Sequence, residues 1–220
     1  MFRDRTDAGR QLAQALIGYK GQPVVVYALP RGGAVLGVEV ARALEAPLDL
    51  IVVRKIGHPR SPEYAIGAVA EDGYVVTNPA ETATLDERWI ERAAADELKE
   101  ARRRRALFLG GRSPVAVNDK IAIIIDDGLA TGLTMQAAVY EIRKRGPREV
   151  VAAVPVAAPE TVNRLRPEVD KVIVLFIPSA GLFGAVGSFY RRFDQVSDDE
   201  VVMIMSGVEC KPDSEQPPGI

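Results

Sequence analysis

Short apolar runs alternate along the chain with stretches in which apolar residues recur every three or four positions. The runs are continuous, which is typical of strands that are buried on both faces of a parallel sheet. They lie at residues 24–29, 48–53, 121–125, 150–157 and 172–177. Strands that alternate with helices in this way form right-handed βαβ units. The pattern therefore predicts an α/β fold built on a parallel sheet.

A different pattern lies between the second and third of these runs. Residues 66–70 and 74–77 flank a Glu-Asp-Gly turn, which predicts a β-hairpin. Thr84 and Glu87 have the spacing of a capping box, which predicts that a long helix begins there. Four arginines at 102–105 lie near the end of that helix. We interpret them as a solvated helix end rather than a nucleic-acid patch, while dimer contacts or a phosphate contact from a partner subunit stay open.

The composition narrows the class of protein. The 220 residues include 28 Lys and Arg against 30 Asp and Glu, a net charge of −2, which argues against a general nucleic-acid or membrane-surface role. The single cysteine, Cys210, excludes an internal disulfide and a cysteine metal cluster and fits a reducing compartment. No apolar run approaches membrane-spanning length, and the first residues lack the apolar core of a signal peptide. We therefore expect a cytoplasmic protein.

Two segments differ in character from the rest of the chain. Residues 55–64 are polar and rich in glycine and proline, which predicts a mobile loop. They include His58, the only histidine, for which a solvated position is the simpler interpretation. Residues 207–220 combine proline with charge, which predicts a disordered tail. We expect residues 1–206 to form a single domain.

The candidate site follows the run at residues 121–125. Asp126 and Asp127 come directly after it, and a loop rich in glycine and threonine, residues 128–134, leads into a helix. Unpaired N–H groups at a helix N-terminus suit a phosphate, and carboxylates beside them suit hydroxyl donors. A ribose 5-phosphate offers both, since its diol can donate to the aspartates while its phosphate lies in the loop. An ordinary strand-turn-helix with solvated aspartates is the alternative.

This stretch, IAIIIDDGLATGLT, resembles the motif with which the type I phosphoribosyltransferases bind 5-phosphoribosyl 1-diphosphate (PRPP). The shared features are the apolar run, two acids, a short apolar stretch and Thr-Gly-x-Thr. The resemblance implies a Rossmann-like parallel-sheet core with a small hood region. It also implies that Asp126 and Asp127 hold the ribose and act in catalysis. The residues that it implies for the 5-phosphate are Ala130, Thr131, Gly132, Leu133 and Thr134.

Two further segments follow strands at the same predicted edge of the sheet. Arg31, Gly32 and Gly33 follow the first run, in the sequence LPRGG, where exposed N–H groups and a fixed charge suit an anion. In the family this loop binds pyrophosphate, often through a cis peptide bond, so the resemblance implies a cis bond in this turn. Arg54 and Lys55 follow the next run and resemble the start of a flexible catalytic loop. The resemblance therefore implies that both bind pyrophosphate and that Lys55 is catalytic; ordinary surface charges are the alternative.

Residues 178–195 resemble the hood that covers the base in purine-type members of the family. Phe183 and Tyr190 are the candidates to stack on that base, and plain core packing is the alternative for both. Ala130 stands where the hypoxanthine and guanine branch has an aspartate that serves as acid or base, which argues against 6-oxopurine salvage of that kind. Together the motifs LPRGG, VRK, DDGxATGxT and FxAVGxxY resemble a bacterial group within the family.

The function that the resemblance implies is transfer of a phosphoribosyl group from PRPP to a small planar base, or the reverse reaction. Mg²⁺ is the implied cofactor, held mainly by PRPP oxygens and water, with no direct protein ligand and with Asp126 or Asp127 as contacts through water. We expect a homodimer and neither a nucleic-acid nor a membrane partner. A non-catalytic PRPP-sensing module is the second hypothesis. A phosphohydrolase that uses the paired aspartates is the third, and it would need more metal ligands.

Overall fold

A computed structural model describes residues 1–179 and 181–207, so the predicted tail lies outside the described residues from residue 208 onward. The strands are β1 Val24–Ala28, β2 Leu48–Leu50, β3 Val53–His58, β4 Ser61–Ala70, β5 Val75–Thr77, β6 Ile121–Ile125, β7 Glu149–Val156 and β8 Lys171–Phe176. The helices are α1 Arg5–Ala15, α2 Gly32–Leu44, α3 Pro79–Thr82, α4 Glu87–Leu109, α5 Leu133–Lys144, α6 Pro159–Leu165 and α7 Asp198–Ser206. Among the helices of the described residues, none combines the length and hydropathy that crossing a membrane requires.

The main sheet is parallel and has the strand order β2-β1-β6-β7-β8, with β6 at its centre. β1 and β6 pair in register from Val24 opposite Ile121 to Ala28 opposite Ile125. Every residue of these two strands is buried. This is because α1, α2 and α7 cover one face of the sheet, while α5, α6 and a second sheet cover the other. The predicted parallel α/β fold is therefore confirmed.

The second sheet is antiparallel, in the order β3-β4-β5. The hairpin predicted at residues 66–77 is confirmed as β4 and β5. The mobile loop predicted at residues 55–64 is in this structure a hairpin of β3 and β4 with a turn at residues 59–60. A register shift at Gly57 accommodates the glycine and proline that suggested a loop. Mobility of this hairpin stays a prediction.

The long helix α4 begins later than the capping box predicts. Its N-cap is Asp86 rather than Thr84, and the Asp86 side chain accepts a hydrogen bond from the amide of Arg88. Near its other end, the Arg105 side chain is only 17% exposed and donates to the carbonyl of Leu50 at 2.8 Å. The prediction that these arginines are solvated is therefore wrong for Arg105. Helix α4 lies against β3, which turns the Arg105 side chain inward.

The predicted hood lies beside the N-terminus of the chain. A 3-10 turn, Val186–Phe189, follows β8, and the amide of Phe2 donates to the carbonyl of Phe189 at 2.9 Å. Gly128, after β6, leaves space for the hood residue Val186, since a Cβ at Gly128 would lie 2.5 Å from Val186 Cγ1. The hood is therefore packed onto the loop that follows the central strand.

Candidate active site

Asp126 and Asp127 lie at the carboxyl end of the central strand, with the amide of Asp127 donating to Asp126 Oδ1 at 2.8 Å. Burial raises the pKa of the Asp126 carboxyl well above its usual range, and the negative charge of Asp127 raises it further. The Asp127 amide and the positive charges of Lys55 and Arg5 act in the opposite direction. Positive charge beside the pair therefore favours the ionised form of Asp126.

Asp127 is held through both its side chain and its main chain. Its Oδ2 accepts a hydrogen bond from Arg5 Nε at 2.8 Å, and its carbonyl accepts one from the Tyr190 hydroxyl at 2.6 Å. The Arg5 guanidinium also donates to the carbonyl of Asp194 at 2.6 Å and lies 3.7 Å from the ring centre of Phe193. Sequence reasoning missed Arg5, which is separated from Asp127 by 122 positions.

The LPRGG turn packs directly against the two aspartates. The peptide bond between Pro30 and Arg31 is cis, which confirms the cis bond expected in this turn. A Cβ on Gly32 would lie 2.0 Å from Asp127 Oδ2, and a Cβ on Gly33 would lie 2.8 Å from a main-chain oxygen at the end of β6. Only glycine fits at either position, so the turn and the paired acids form one continuous site.

The loop after the aspartates is anchored on β7 and α6. Leu129 donates its amide to the carbonyl of Val156 at 2.9 Å, and the Thr161 hydroxyl donates to the carbonyl of Ala130. Gly132 has φ +76°, a left-handed conformation that favours glycine, and α5 begins at the next residue. Among the described residues, none accepts a hydrogen bond from the amides at positions 131–134. These amides are therefore available to an anion. Thr161 was not predicted, because nothing nearby in the sequence links it to this loop.

The two basic residues of β3 point in opposite directions, since side chains alternate along a strand. Arg54 forms an ion pair with Glu97 of α4, with Nε 2.8 Å from Oε2. The charge of Lys55, in contrast, acts on Asp126 and lowers its pKa. β3 therefore places Arg54 against α4 and directs Lys55 to the other side of the strand. The pyrophosphate roles of Arg54 and Lys55 stay predictions.

Two other polar side chains near the site have partners within the chain. Arg31 Nη1 lies 3.4 Å from Asp198 Oδ1 at the start of α7, and both side chains are 27% exposed. A ligand anion at the turn can therefore replace a partly solvated carboxylate as the partner of Arg31. His58 accepts a hydrogen bond from the amide of Arg60 at 3.1 Å and lies at the tip of the β3–β4 hairpin.

The aromatic candidates of the hood separate into two groups. Tyr190 is only 5% exposed, and its ring lies 5.4 Å from that of Phe2 and 4.9 Å from that of Phe193, measured between ring centres. We therefore revise the role of Tyr190 from stacking on a base to anchoring the site through its hydroxyl. Phe183 is half-buried, 5.4 Å from Phe189, and its stacking role stays a prediction.

A model of the phosphoribosyl transferase domain family matches residues 3–177, which include the turn, the aspartates and the phosphate loop. The chain belongs to this family. Two curated Mycobacterium tuberculosis proteins, from strains CDC 1551 and H37Rv, are each 45% identical to it over 207 residues and are each named "putative phosphoribosyl transferase". The match covers 93% of this chain and 46% of each relative, so the chain spans about half their length.

Solved structures agree with this assignment of the phosphoribosyltransferase fold. TT1426 from Thermus thermophilus is 42% identical and superposes with a TM-score of 0.76, covering 93% of this chain and 97% of that chain. AQ2163 from Aquifex aeolicus, at 16% identity and a TM-score of 0.51 over 79% of this chain and 74% of that chain, shares the fold. The family and the parallel-sheet core predicted from the sequence are confirmed.

Proposed function

We propose that the protein transfers a phosphoribosyl group between PRPP and a nitrogenous base. The observation that carries the proposal is the contact between Gly32 and Asp127, in which the glycine turn lies against the acid at the end of β6. In this proposal the acid, the turn and the N-terminus of α5 bind different parts of one ligand. A pentose with a phosphate at one end and a pyrophosphate at the other has the matching chemistry.

The proposed roles follow from the position of each group. The amides of Thr131 to Thr134 bind the 5-phosphate, and the paired aspartates accept hydrogen bonds from the ribose diol and stabilise the cation that develops on the sugar. The turn with Arg31 and the charge of Lys55 hold the pyrophosphate. A base nitrogen forms a bond to the anomeric carbon as the carbon–oxygen bond to pyrophosphate breaks; the electron pair leaves with the pyrophosphate, and the proton of the base nitrogen passes to water.

Mg²⁺ is part of the proposal. Within residues 1–179 and 181–207, no group of three or more His, Cys, Asp or Glu side chains is arranged to hold a metal ion. The carboxylate oxygens of Asp126 and Asp127 nevertheless fit a hydrated Mg²⁺, which prefers oxygen ligands and takes most of them from substrate phosphates and water. The ion would supply positive charge against the departing pyrophosphate.

A second candidate is a PRPP-sensing module that binds without turnover. The observation that favours it is the exposed Ala130, since this position provides no carboxylate to move a proton to or from a base. We rank catalysis first because the chain retains the basic pair Arg54 and Lys55 and the β3–β4 hairpin that would carry them over a bound ligand.

The proposal also includes a homodimer and a cytoplasmic location. β8 is an edge strand of the main sheet, and its last residue, Phe176, is 50% exposed, which leaves an apolar surface for a second copy. The single cysteine of the chain is the support for a reducing compartment.

The test is to incubate the protein with PRPP, Mg²⁺ and a panel of purine and pyrimidine bases, and to measure pyrophosphate release and PRPP affinity. In Asp127→Asn we expect the affinity to fall by about tenfold, as for the loss of one charge-assisted contact. Asp96→Asn is the control, because Asp96 is 76% exposed on α4. Equal affinity in wild type and Asp127→Asn would remove Asp127 from the site, and binding without turnover of any base would favour the sensor.

A further inference from the structure

Arg5, the first residue of α1, joins three segments that are far apart in the sequence. Its side chain is 12% exposed, and its Nε donates to Asp127 Oδ2 at 2.8 Å. Its Nη1 donates to the carbonyl of Asp194 at 2.6 Å, and its guanidinium carbon lies 3.7 Å from the ring centre of Phe193. An arginine with a carboxylate, a carbonyl and an aromatic face as partners has its planar group held in one orientation.

We propose that Arg5 is a positioning residue that sets the orientation of the Asp127 carboxylate and couples the hood to the ribose site. The effect of Arg5 on catalysis rests on the proposed function. Arg5 does not need to touch the reacting atoms, since it acts through Asp127.

The contact determines which carboxylate oxygen of Asp127 faces a ligand. Oδ2 is enclosed by Arg5 on one side and by the Gly32 turn on the other, where an added Cβ would lie 2.0 Å away. Oδ1, which Arg5 does not contact, is therefore the oxygen that can accept a hydrogen bond from a ribose hydroxyl.

The same side chain ties this carboxylate to the hood. Phe193 packs on Tyr190 at 4.9 Å between ring centres, and Gly187 leaves the space that the Phe193 ring fills, since a Cβ there would lie 2.9 Å from Phe193 Cδ1. A movement of the hood that opens the base site must separate Arg5 from Phe193 and Asp194. The loss of these two contacts would leave the Arg5 guanidinium, and with it the Asp127 carboxylate, less firmly oriented, which links acceptor entry to the affinity for PRPP.

The test compares Arg5→Gln, Arg5→Lys and Phe193→Leu with the control Arg3→Gln, whose side chain is 69% exposed and pairs with Asp7 at the surface. PRPP affinity is measured by calorimetry with Mg²⁺ and no base, and hydrogen exchange is followed over residues 186–196. We expect Arg5→Gln to weaken PRPP binding about tenfold and to speed exchange in the hood, with little change in Arg3→Gln. Arg5→Lys should rescue affinity only partly, because an ammonium cannot keep the planar contacts. Phe193→Leu should speed exchange in the hood.

A double-mutant cycle separates positioning from a merely structural role. If Arg5 acts through Asp127, the variant with both Arg5→Gln and Asp127→Asn binds PRPP as weakly as Asp127→Asn alone. Additive losses, or an Arg5→Gln protein that melts at a lower temperature but binds PRPP normally, would overturn the inference. If the wild type binds no PRPP, the proposed function fails, and hydrogen exchange alone tests the coupling of Arg5 to the hood. Faster exchange in the hood of Arg5→Gln would then support this coupling, and unchanged exchange would overturn it.

Discussion

Gly32 has room for a hydrogen atom only. A Cβ there would lie 2.0 Å from Asp127 Oδ2 and 2.9 Å from Arg5 Nε. Paired glycines after a buried strand indicate a close approach of the backbone, so this position and the two aspartates could be predicted from the sequence. Arg5 could not, because its role depends on a contact across 122 positions that no local pattern contains.

At this scale we predict that Gly32→Ala weakens PRPP binding by more than about tenfold and costs about 1 to 3 kcal/mol of unfolding free energy, the usual range for overpacking. The methyl group must push the Asp127 carboxylate out of its place between the turn and Arg5. Calorimetry with PRPP and urea unfolding measure the two effects. Gly18→Ala is the control, since a Cβ at Gly18 meets nothing within 4 Å. A Gly32→Ala protein with wild-type affinity would show that the turn is not part of the PRPP site.

Among the secondary-structure elements, the β3–β4 hairpin could not be predicted from the local sequence pattern. Its glycine and prolines indicate a loop, yet the pairing of Val53 with Ala70 and of Lys55 with Ala68 makes it a strand. Pairing with the next strand along the chain cannot be read from composition alone, and strand preference depends strongly on such neighbours. The same pairing decides that Arg54 and Lys55 face opposite sides, which separates two residues that are adjacent in the sequence.

Helix α5 carries a buried acid that makes stability depend on pH. Burial, and next the negative charge of Glu71, raise the pKa of Glu141 from 4.5 to about 7, while Arg145 acts against them and the charge of Asp72 adds a further increase. Between these two values the folded protein binds a proton that the unfolded chain has lost. Stability should therefore fall as pH rises from about 4.5 to about 7.

We predict that Glu141→Gln removes this part of the pH dependence, which is on the order of 3 kcal/mol because one pKa unit corresponds to about 1.4 kcal/mol. Urea unfolding at several values between about pH 5 and pH 8 measures it. Glu160→Gln, on the exposed surface of α6, is the control. If the wild type and Glu141→Gln show parallel pH curves, Glu141 does not titrate in this range.

For the whole molecule, a buried ionic cluster joins the two sheets and α4. Arg105 of α4 lies 2.8 Å from Glu71, which follows β4, and 3.7 Å from Asp49 of β2. Arg145, after α5, lies 3.6 Å from the same Glu71. Asp49 is only 3% exposed, so its charge depends on these partners for compensation.

We predict that Arg105→Met lowers the free energy of unfolding by about 3 kcal/mol, because it removes the counter-charge of the buried Asp49 and, among the described residues, leaves Glu71 with Arg145 alone. The matched change Arg103→Met, two positions earlier on α4, should cost less than about 1 kcal/mol, since Arg103 is 56% exposed and pairs with Glu100 at the surface. Urea unfolding of both variants checks the difference. Similar losses in the two variants would mean that the cluster does not hold the sheets together.

The sequence by itself determined the parallel α/β core and the chemistry at the end of its central strand. Continuous apolar runs and the residues that directly follow them are local features, and parallel topology brings strand ends to one edge of the sheet. Only the tertiary structure decided that Arg5 holds Asp127, that Lys55 rather than Arg54 acts on Asp126, and that Tyr190 is an anchor. These roles depend on contacts between segments far apart in the chain, which form only when the sheets, helices and hood have packed together.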